Sequence, residues 1–349
     1  MNDAPAITGL GVLGALGSDL ESHRAALAEG AQVLRPLSEM KGGPEGFGHH
    51  IAGWIESRER LNDRKWSPLS MAAIHVAAEA LALANWSDAE RSDAVVFFGT
   101  SRGSLAGWTE PWPERRDFDL LAATNSLPAE PAAAVSTTFG IAGPWQVCST
   151  GCCAGLDALA LADLWIRTGK TARALVVAVD LPLVTPVLTA YARTGLLTDD
   201  PRQGMIPAEA AAAVCLEPAG SDGRTRLLGC HAIADATALV GSGRDAARLA
   251  SLLREASEIH GKPDLLIPHA SGTASNHRLE SMAIEDSLTC PVARYKPHTG
   301  HGVGAGGLLE LALACAGIFP RDCGEASPRS IFKLASALGG RHSLACISR

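Results

Sequence analysis

Short, dense apolar runs alternate along this chain with longer stretches in which apolar residues recur at helical spacing, the pattern of strands and helices interleaved. Residues 4–12 (APAITGLGV) read as a first strand and turn. Residues 67–85 read as a helix, with Ser67 as N-cap, Pro68 at the first helical position and Leu69, Ile74 and Leu81 on its apolar stripe. AVVFFG at 94–99 has the composition of a buried strand. From Trp108 to Pro131 four prolines and the neighbours Arg115 and Arg116 predict a long irregular excursion, whose Trp108, Trp112 and Phe118 either line a tunnel or pack beneath the loop.

WQVC (145–148), a helix from about Cys153 to Thr168 and ALVVAVD (174–180) follow in β-α-β order, which implies parallel strands joined by a right-handed crossover. AAAVCLEP (211–218) closes this half. A second series runs through RLLGCHAI (226–233), a helix near 245–257, DLLIPH (264–269), VARYK (292–296), a helix near 303–317 and a strand pair around 330–337 and 343–348. The two series also match in detail. Gly151-Cys152 leads into AGLDALALA as Gly300-His301 leads into GAGGLLELALA, and helices so nearly apolar all round belong inside a protein. The expected architecture is α/β, with two similar halves, 1–218 and 219–349, in a layered α-β-α arrangement with central helices.

Composition narrows the function classes. Lys and Arg total 30 against 37 Asp and Glu, a net charge of −7, so the chain lacks the basic surplus that favours nucleic acid or an anionic membrane surface. A small basic patch able to dock an acidic carrier remains compatible with that total. Nine cysteines, an odd number without a paired framework, point to a reducing compartment, read as the cytoplasm. No signal-like opening is present, and every long apolar run is interrupted before it reaches bilayer length.

Candidate chemistry gathers at three positions. Cys152 precedes a helix, where free backbone N–H groups and the positive end of the dipole favour a thiolate and offer an oxyanion site. Most free cysteines are inert buried residues, the reading taken for Cys148, Cys153, Cys215, Cys230, Cys290, Cys315, Cys323 and Cys346. His269 and His301 each follow a strand-like run, and two neutral imidazoles donating to one thioester oxygen would stabilise the enolate left by decarboxylation, with no metal or organic cofactor. Either histidine could instead be a satisfied structural residue. A zinc reading of His298 and His301 finds no third ligand close in sequence. Lys296 and Glu310 flank His301 and could form a pair that fixes its turn and biases its protonation, although a solvated lysine is the plainer reading. GTSRGS (99–104) lacks the Gly-Lys-Ser/Thr ending of a phosphate loop and reads as a plain turn.

Taken together these residues resemble the β-ketoacyl-acyl-carrier-protein synthases, the decarboxylating condensing enzymes of the thiolase-like superfamily, over nearly the whole chain. ITGLGVLGALG is similar to the family's opening V-T-G-x-G, and FGIAGPWQVCSTGCCAG to its G-x-x-G-P…T-A-C-S-S-G region, with Cys152 on the nucleophile. HASGTASNHRLE resembles H-G-T-G-T-x-x-x-D-x-x-E, which puts His269, Ser271, Thr273 and Glu280 on family positions. KPHTGHGVGAGG resembles K-x-x-x-G-H-x-x-x-A-A-G, which places Lys296, His301 and Glu310. The resemblance implies a thiolase-like fold in α-β-α-β-α layers, its first half carrying the cysteine and its second both histidines. It implies a ping-pong reaction in which Cys152 takes an acyl group from carrier phosphopantetheine and malonyl carrier decarboxylates under His269 and His301. The Cys152 N–H and one near Leu338 would hold the oxyanion. An acyl carrier protein and an identical or related dimer subunit are the implied partners.

The departures are in ALGGRHS (337–343), where Leu338 replaces the gating aromatic and His342 the asparagine of F-G-G-x-N, and at His277, where the family has aspartate. MIPAEAAAA (205–213) carries alanines where glycines are usual, and the C-terminal region is short. These substitutions point away from housekeeping fatty-acid synthesis and towards specialised fatty-acid, polyketide or aryl polyene assembly. The alternatives are a partner subunit resembling a chain-length factor, which usually lacks the nucleophile, and an acyltransferase or decarboxylase on the same fold.

Overall fold

Fully apolar strand runs need cover on both faces, and in this chain helices supply it. In the computed structural model, residues 4–105, 124–197, 204–220, 225–236, 246–323 and 327–349 are described. Trp108, Trp112, Arg115, Arg116 and Phe118 lie outside them. Strand β1 (Ala6–Gly14) is crossed by α2 (Pro68–Ala84), and the approach depends on missing side chains: a Cβ on Gly9 or Gly11 would stand 2.0 Å from the carbonyl oxygens of Ala80 and Val76. The helix α2 begins as expected, with the Ser67 side chain accepting from the Ser70 N–H and Pro68 in the first turn.

The first half places β4 (Val95–Gly99), β5 (Trp145–Cys148), β6 (Ala174–Asp180) and β7 (Ala210–Glu217) with β1 in the order β5-β4-β6-β7-β1. The second half orders β8 (Arg226–Ala234), β9 (Leu265–Ile267), β10 (Ser330–Ala337) and β11 (Arg341–Ser348) as β8-β11-β10-β9. The two sets repeat one plan. β6 and β10 pair antiparallel with β7 and β11 and parallel with β4 and β9. Between β1 and β8 the ladder has one pair, Ala6 with Arg226.

Five layers follow. The outer face of the first sheet packs Leu13, Phe98 and Val177 on α2 and on α4 (Glu130–Phe139). The outer face of the second packs Phe332, Leu344 and Cys346 on α7 (Ala247–His260) and α8 (Ala274–Ser287). Between the sheets lie α5 (Ala154–Arg167) and α10 (Val303–Cys315), the latter buried at every position. Gly155 and Gly304 let these central helices cross, since a Cβ on Gly155 would meet the Gly304 oxygen at 2.9 Å.

Elements beyond the expected set are α1 (Leu20–Glu29), set by an Asp19/Ser22 capping box, a two-residue ribbon β2 (Arg35–Pro36) with β3 (Ile51–Ala52), α3 (Asp88–Ser92), and α6 (Thr185–Arg193). The helix α4 begins within the stretch expected to be irregular. VARYK is corrected: only Val292 bridges to Leu266, and Lys296 opens a one-turn helix, α9 (Lys296–Thr299). Pro297 has no N–H for a ladder but suits a first helical turn. Among the described residues no helix is long and apolar enough to cross a membrane.

Candidate active site

Strand β5 ends at Cys148, and the chain turns through Gly151, at φ 61, into a tight Gly151–Cys153 turn that runs on as α5. Such a φ is costly for any residue with a Cβ. Buried Asp157, in the first turn of α5, holds this turn to β11: it accepts from Thr150 Oγ1 at 2.5 Å, from the Arg341 fork at 2.8 and 2.9 Å, and from Ser343 Oγ at 2.6 Å. Leu338, 57% exposed, lies beside the cysteine turn, its Cγ 3.8 Å from where a Gly151 Cβ would sit.

His301 stands at the mouth of α10 with its backbone clamped to Ile206 and Ala208. Its Nδ1 accepts the Val303 N–H at 3.0 Å, so the neutral ring must carry its proton on Nε2. That Nε2 lies 3.6 Å from Cys152 Sγ, a donor aimed at the sulfur. The His269 ring stands edge to face with His301, centroids 5.0 Å apart at 79°. Both histidines are almost wholly buried, at 5% and 2% exposure.

Each histidine is held by a strained neighbour. Ala270 and Val303 adopt φ of 46° and 45°, a region that Val in particular avoids. Their N–H groups are taken by Glu280 Oε2 and by His301 Nδ1. Glu280, reaching from α8, also accepts from the His269 N–H at 2.7 Å and from Asn276 Nδ2 at 2.6 Å.

Beneath the rings lies a buried cation–anion–cation row. Glu310, on α10, accepts Lys296 Nζ at 2.6 Å on one oxygen and Lys333 Nζ at 2.6 Å on the other. Lys333, from the middle of β10, also donates to the carbonyls of Pro268, at 3.1 Å, and Leu334, at 2.9 Å. Across the site Asp180, the last residue of β6, accepts from Thr100 Oγ1, from the Ser101 N–H and Oγ, and at 2.7 Å from the Gly304 N–H of α10.

The charges have definite consequences. Burial, then the ammonium of Lys296, then His301 and Lys333 depress His269 well below the ordinary imidazole range; burial, Lys296 and Lys333 do the same to His301. Both rings are therefore neutral donors at physiological pH. Desolvation pushes the Cys152 thiol up to about 11, against the opposing pull of Lys296. The helix terminus favours the thiolate in sequence, while in the folded chain desolvation acts against that form and Lys296 acts for it. Asp180 is raised to about 6 by desolvation despite four donors.

Burial lowers Lys333 from 10.5 to about 8. Between those values the unfolded chain binds the proton that the folded chain has released, so this lysine's contribution makes stability rise with pH. Chemical denaturation of wild type and Lys333→Met at pH 8 and pH 10 should show the difference moving in favour of wild type at the higher pH. An unchanged difference would mean that Lys333 titrates normally.

The sulfur and the two imidazoles lie close enough for their ligand atoms to fall within 4.8 Å of one another. His298 belongs to no such group among the described residues. Residues 4–221 match the family model described as β-ketoacyl synthase, N-terminal domain. The chain belongs to the β-ketoacyl synthase family. It is 30% identical over 267 residues to a protein described as polyketide β-ketoacyl synthase 1 of Streptomyces halstedii, a match spanning 62% of this chain and 63% of that one. It thus covers less than two thirds of that relative. To the tetracenomycin polyketide synthase ketoacyl synthase alpha subunit of Streptomyces glaucescens it is 29% identical over 363 residues, 89% of this chain and 83% of the other. Its fold matches the structure of a type II polyketide synthase acyl carrier protein in complex with its ketosynthase at a TM-score of 0.83, with 23% identity and full coverage of both chains.

In this β-ketoacyl synthase family member the structure brings Cys152, His269, His301, Lys296, Glu310 and Glu280 around one centre. Ser271 and Thr273 serve the neighbouring turn: their hydroxyls are 3.0 Å apart, and Thr273 caps α8. Exposed His277 lies on α8, whereas buried His342 bonds Ser336 through Nδ1 at 2.8 Å. Lys333, Asp180 and Asp157 went unread in the sequence. The signal for the first two was a charge inside or ending an otherwise apolar strand run, IFKLASA and ALVVAVD.

Proposed function

We propose that this protein is a β-ketoacyl-acyl-carrier-protein synthase that performs decarboxylative Claisen condensation of an acyl thioester with malonyl carrier in specialised polyketide or fatty-acid assembly. The observation that carries the reading is the cluster in which Cys152 Sγ faces an Nε2–H of His301 beside the neutral ring of His269. Cys152 is the nucleophile: its sulfur bonds to the acyl carbon, and the carrier thiol leaves with the proton. His269 and His301 donate to the thioester oxygen of malonyl carrier, stabilising the enolate as carbon dioxide departs. The enolate carbon then attacks the acyl-enzyme, and the Cys152 sulfur leaves. With its Nδ1 occupied by the Val303 N–H, His301 suits donation rather than proton removal.

Lys296 and Glu310 act behind the donors, and Glu280 sets the His269 loop. The Cys152 and Leu338 N–H groups are assigned to the tetrahedral oxyanion, and Ser271 and Thr273 to support of the turn after His269. The chemistry needs no cofactor beyond the carrier's phosphopantetheine. An acyl carrier protein and a second, identical or related, synthase subunit are the partners proposed, with the cytoplasm as location and halves divided at 218/219. The retained thiol and paired donors argue against an interface-only subunit.

The test is incubation with acyl and malonyl carriers, followed by mass spectrometry of the carrier-bound product. A product two carbons longer with a 3-keto group is expected, and decarboxylation without extension, or no turnover, would overturn the condensing assignment. His269→Ala and His301→Ala should each slow malonyl-carrier decarboxylation by about 100-fold or more, the range for loss of one oxyanion donor. Because both rings sit well below 6.5, the wild-type decarboxylation rate should stay level as pH falls through 6.5. A rate that follows an ordinary imidazole titration would contradict neutral donors.

A further inference from the structure

On the outer face of the second sheet, away from the site above, a second group of soft ligands converges. His231 on β8 and His260 in the last turn of α7 place their Nε2 atoms 2.8 Å apart, with ring centroids at 5.1 Å and 63°. Cys346 on β11 lies beneath them, and its sulfur and the two nitrogens all fall within 4.8 Å of one another. Gly229, two residues before His231 on β8 and paired with Cys346, makes the hollow: a Cβ there would stand 2.8 Å from His260 Nε2. Three elements distant in sequence thus bring one potential ligand atom each to the same place, and the missing side chain of Gly229 leaves room for the His260 ring.

We propose that His231, His260 and Cys346 bind one divalent transition-metal ion of zinc-like preference, with solvent as the fourth ligand. Metal–nitrogen bonds of about 2.0–2.1 Å and a metal–sulfur bond of about 2.3 Å in tetrahedral geometry put the two nitrogens roughly 3.3 Å apart, so the imidazoles need only spread by about 0.5 Å. Both histidines are half-buried, which leaves a path from solvent, while Cys346 is fully buried and supplies the soft anionic ligand. Glu255 and Asp163 add negative field at His231, and Arg167 opposes it at His260. Binding breaks the Cys346 S–H bond and forms metal–sulfur, releasing that proton to solvent. Whichever imidazole donates in the free pair shifts its proton to Nδ1. The ion would pin the end of α7 to β8 and β11.

The test uses the full chain carrying Cys152→Ala, which removes the thiol of the other Cys/His/His group, titrated with cobalt(II) chloride. One saturating equivalent is expected, with intense tetrahedral absorption and a near-ultraviolet thiolate-to-metal band, displaced by zinc. Adding His231→Ala or Cys346→Ala should abolish the saturable uptake. His260→Gln, at a half-buried position that tolerates change, should weaken it beyond the roughly 10- to 100-fold typical of second-shell losses. Absence of saturable uptake, or uptake unchanged in His260→Gln or His231→Ala, would overturn the site, leaving the pair a plain imidazole hydrogen bond.

Discussion

Cys152→Ala should abolish covalent loading: intact-mass measurement after exposure to acyl carrier should show one acyl increment on wild type and none on the variant. The expectation is specific because, among the described residues, no other cysteine brings its sulfur to His301 and His269. Cys148, Cys153, Cys215, Cys315 and Cys346 are buried, and burial raises each of their thiols. Cys152 alone has an imidazole N–H facing its sulfur among the hydrogen bonds described. With the thiol pushed up by burial, the neutral form dominates at rest, so loading depends on groups that stabilise the anion as it forms. Lys296 is foremost among the charges that do so. Lys296→Met should therefore slow loading by about tenfold or more, the effect of losing an opposite charge worth at least one pKa unit. An acyl increment persisting on Cys152→Ala would remove the nucleophile from the proposed reaction.

The strand runs were legible because buried parallel strands leave uninterrupted apolar segments, and AVVFFG, ALVVAVD and DLLIPH all mark strands of the fold. The match between Gly151-Cys152 and Gly300-His301 announced the two central helices, since a helix covered on all sides has no polar face to blur the pattern. What stayed hidden was set by long-range packing. VARYK has a strand's composition, but Pro297 and the demands of Lys296 end the strand after a single bridge. Thr273 was read by its place in a motif, and its capping of α8 became visible only with the helix itself. Lys333 was the least legible: nothing local explains a lysine in IFKLASA, because its partner Glu310 is on another element and its second acceptor, Pro268, on a third. The balance at Cys152 was hidden for a related reason, as a helix terminus is visible in sequence whereas the extent of desolvation is not.

Glu310→Gln should be the most destabilising single change at the centre. It removes the one anion between Lys296 and Lys333, both buried, and leaves two ammonium groups that the surrounding apolar strands cannot solvate. Stranding a buried partner costs about 3–5 kcal/mol, on the order of 5 °C in melting temperature for a chain of this length. Lys333→Met added to Glu310→Gln should restore part of that loss, because Met keeps most of the stem volume and removes one stranded charge. Lys333→Met alone keeps the Lys296–Glu310 pair and should cost less. Its distinctive effect should fall on decarboxylation, because Lys333 Nζ also holds the Pro268 carbonyl directly before His269. The double-mutant cycle therefore measures a coupling of stabilising sign between the two substitutions. Strictly additive losses would mean that the two side chains do not share the charge, and that the row beneath the histidines is packing rather than electrostatics.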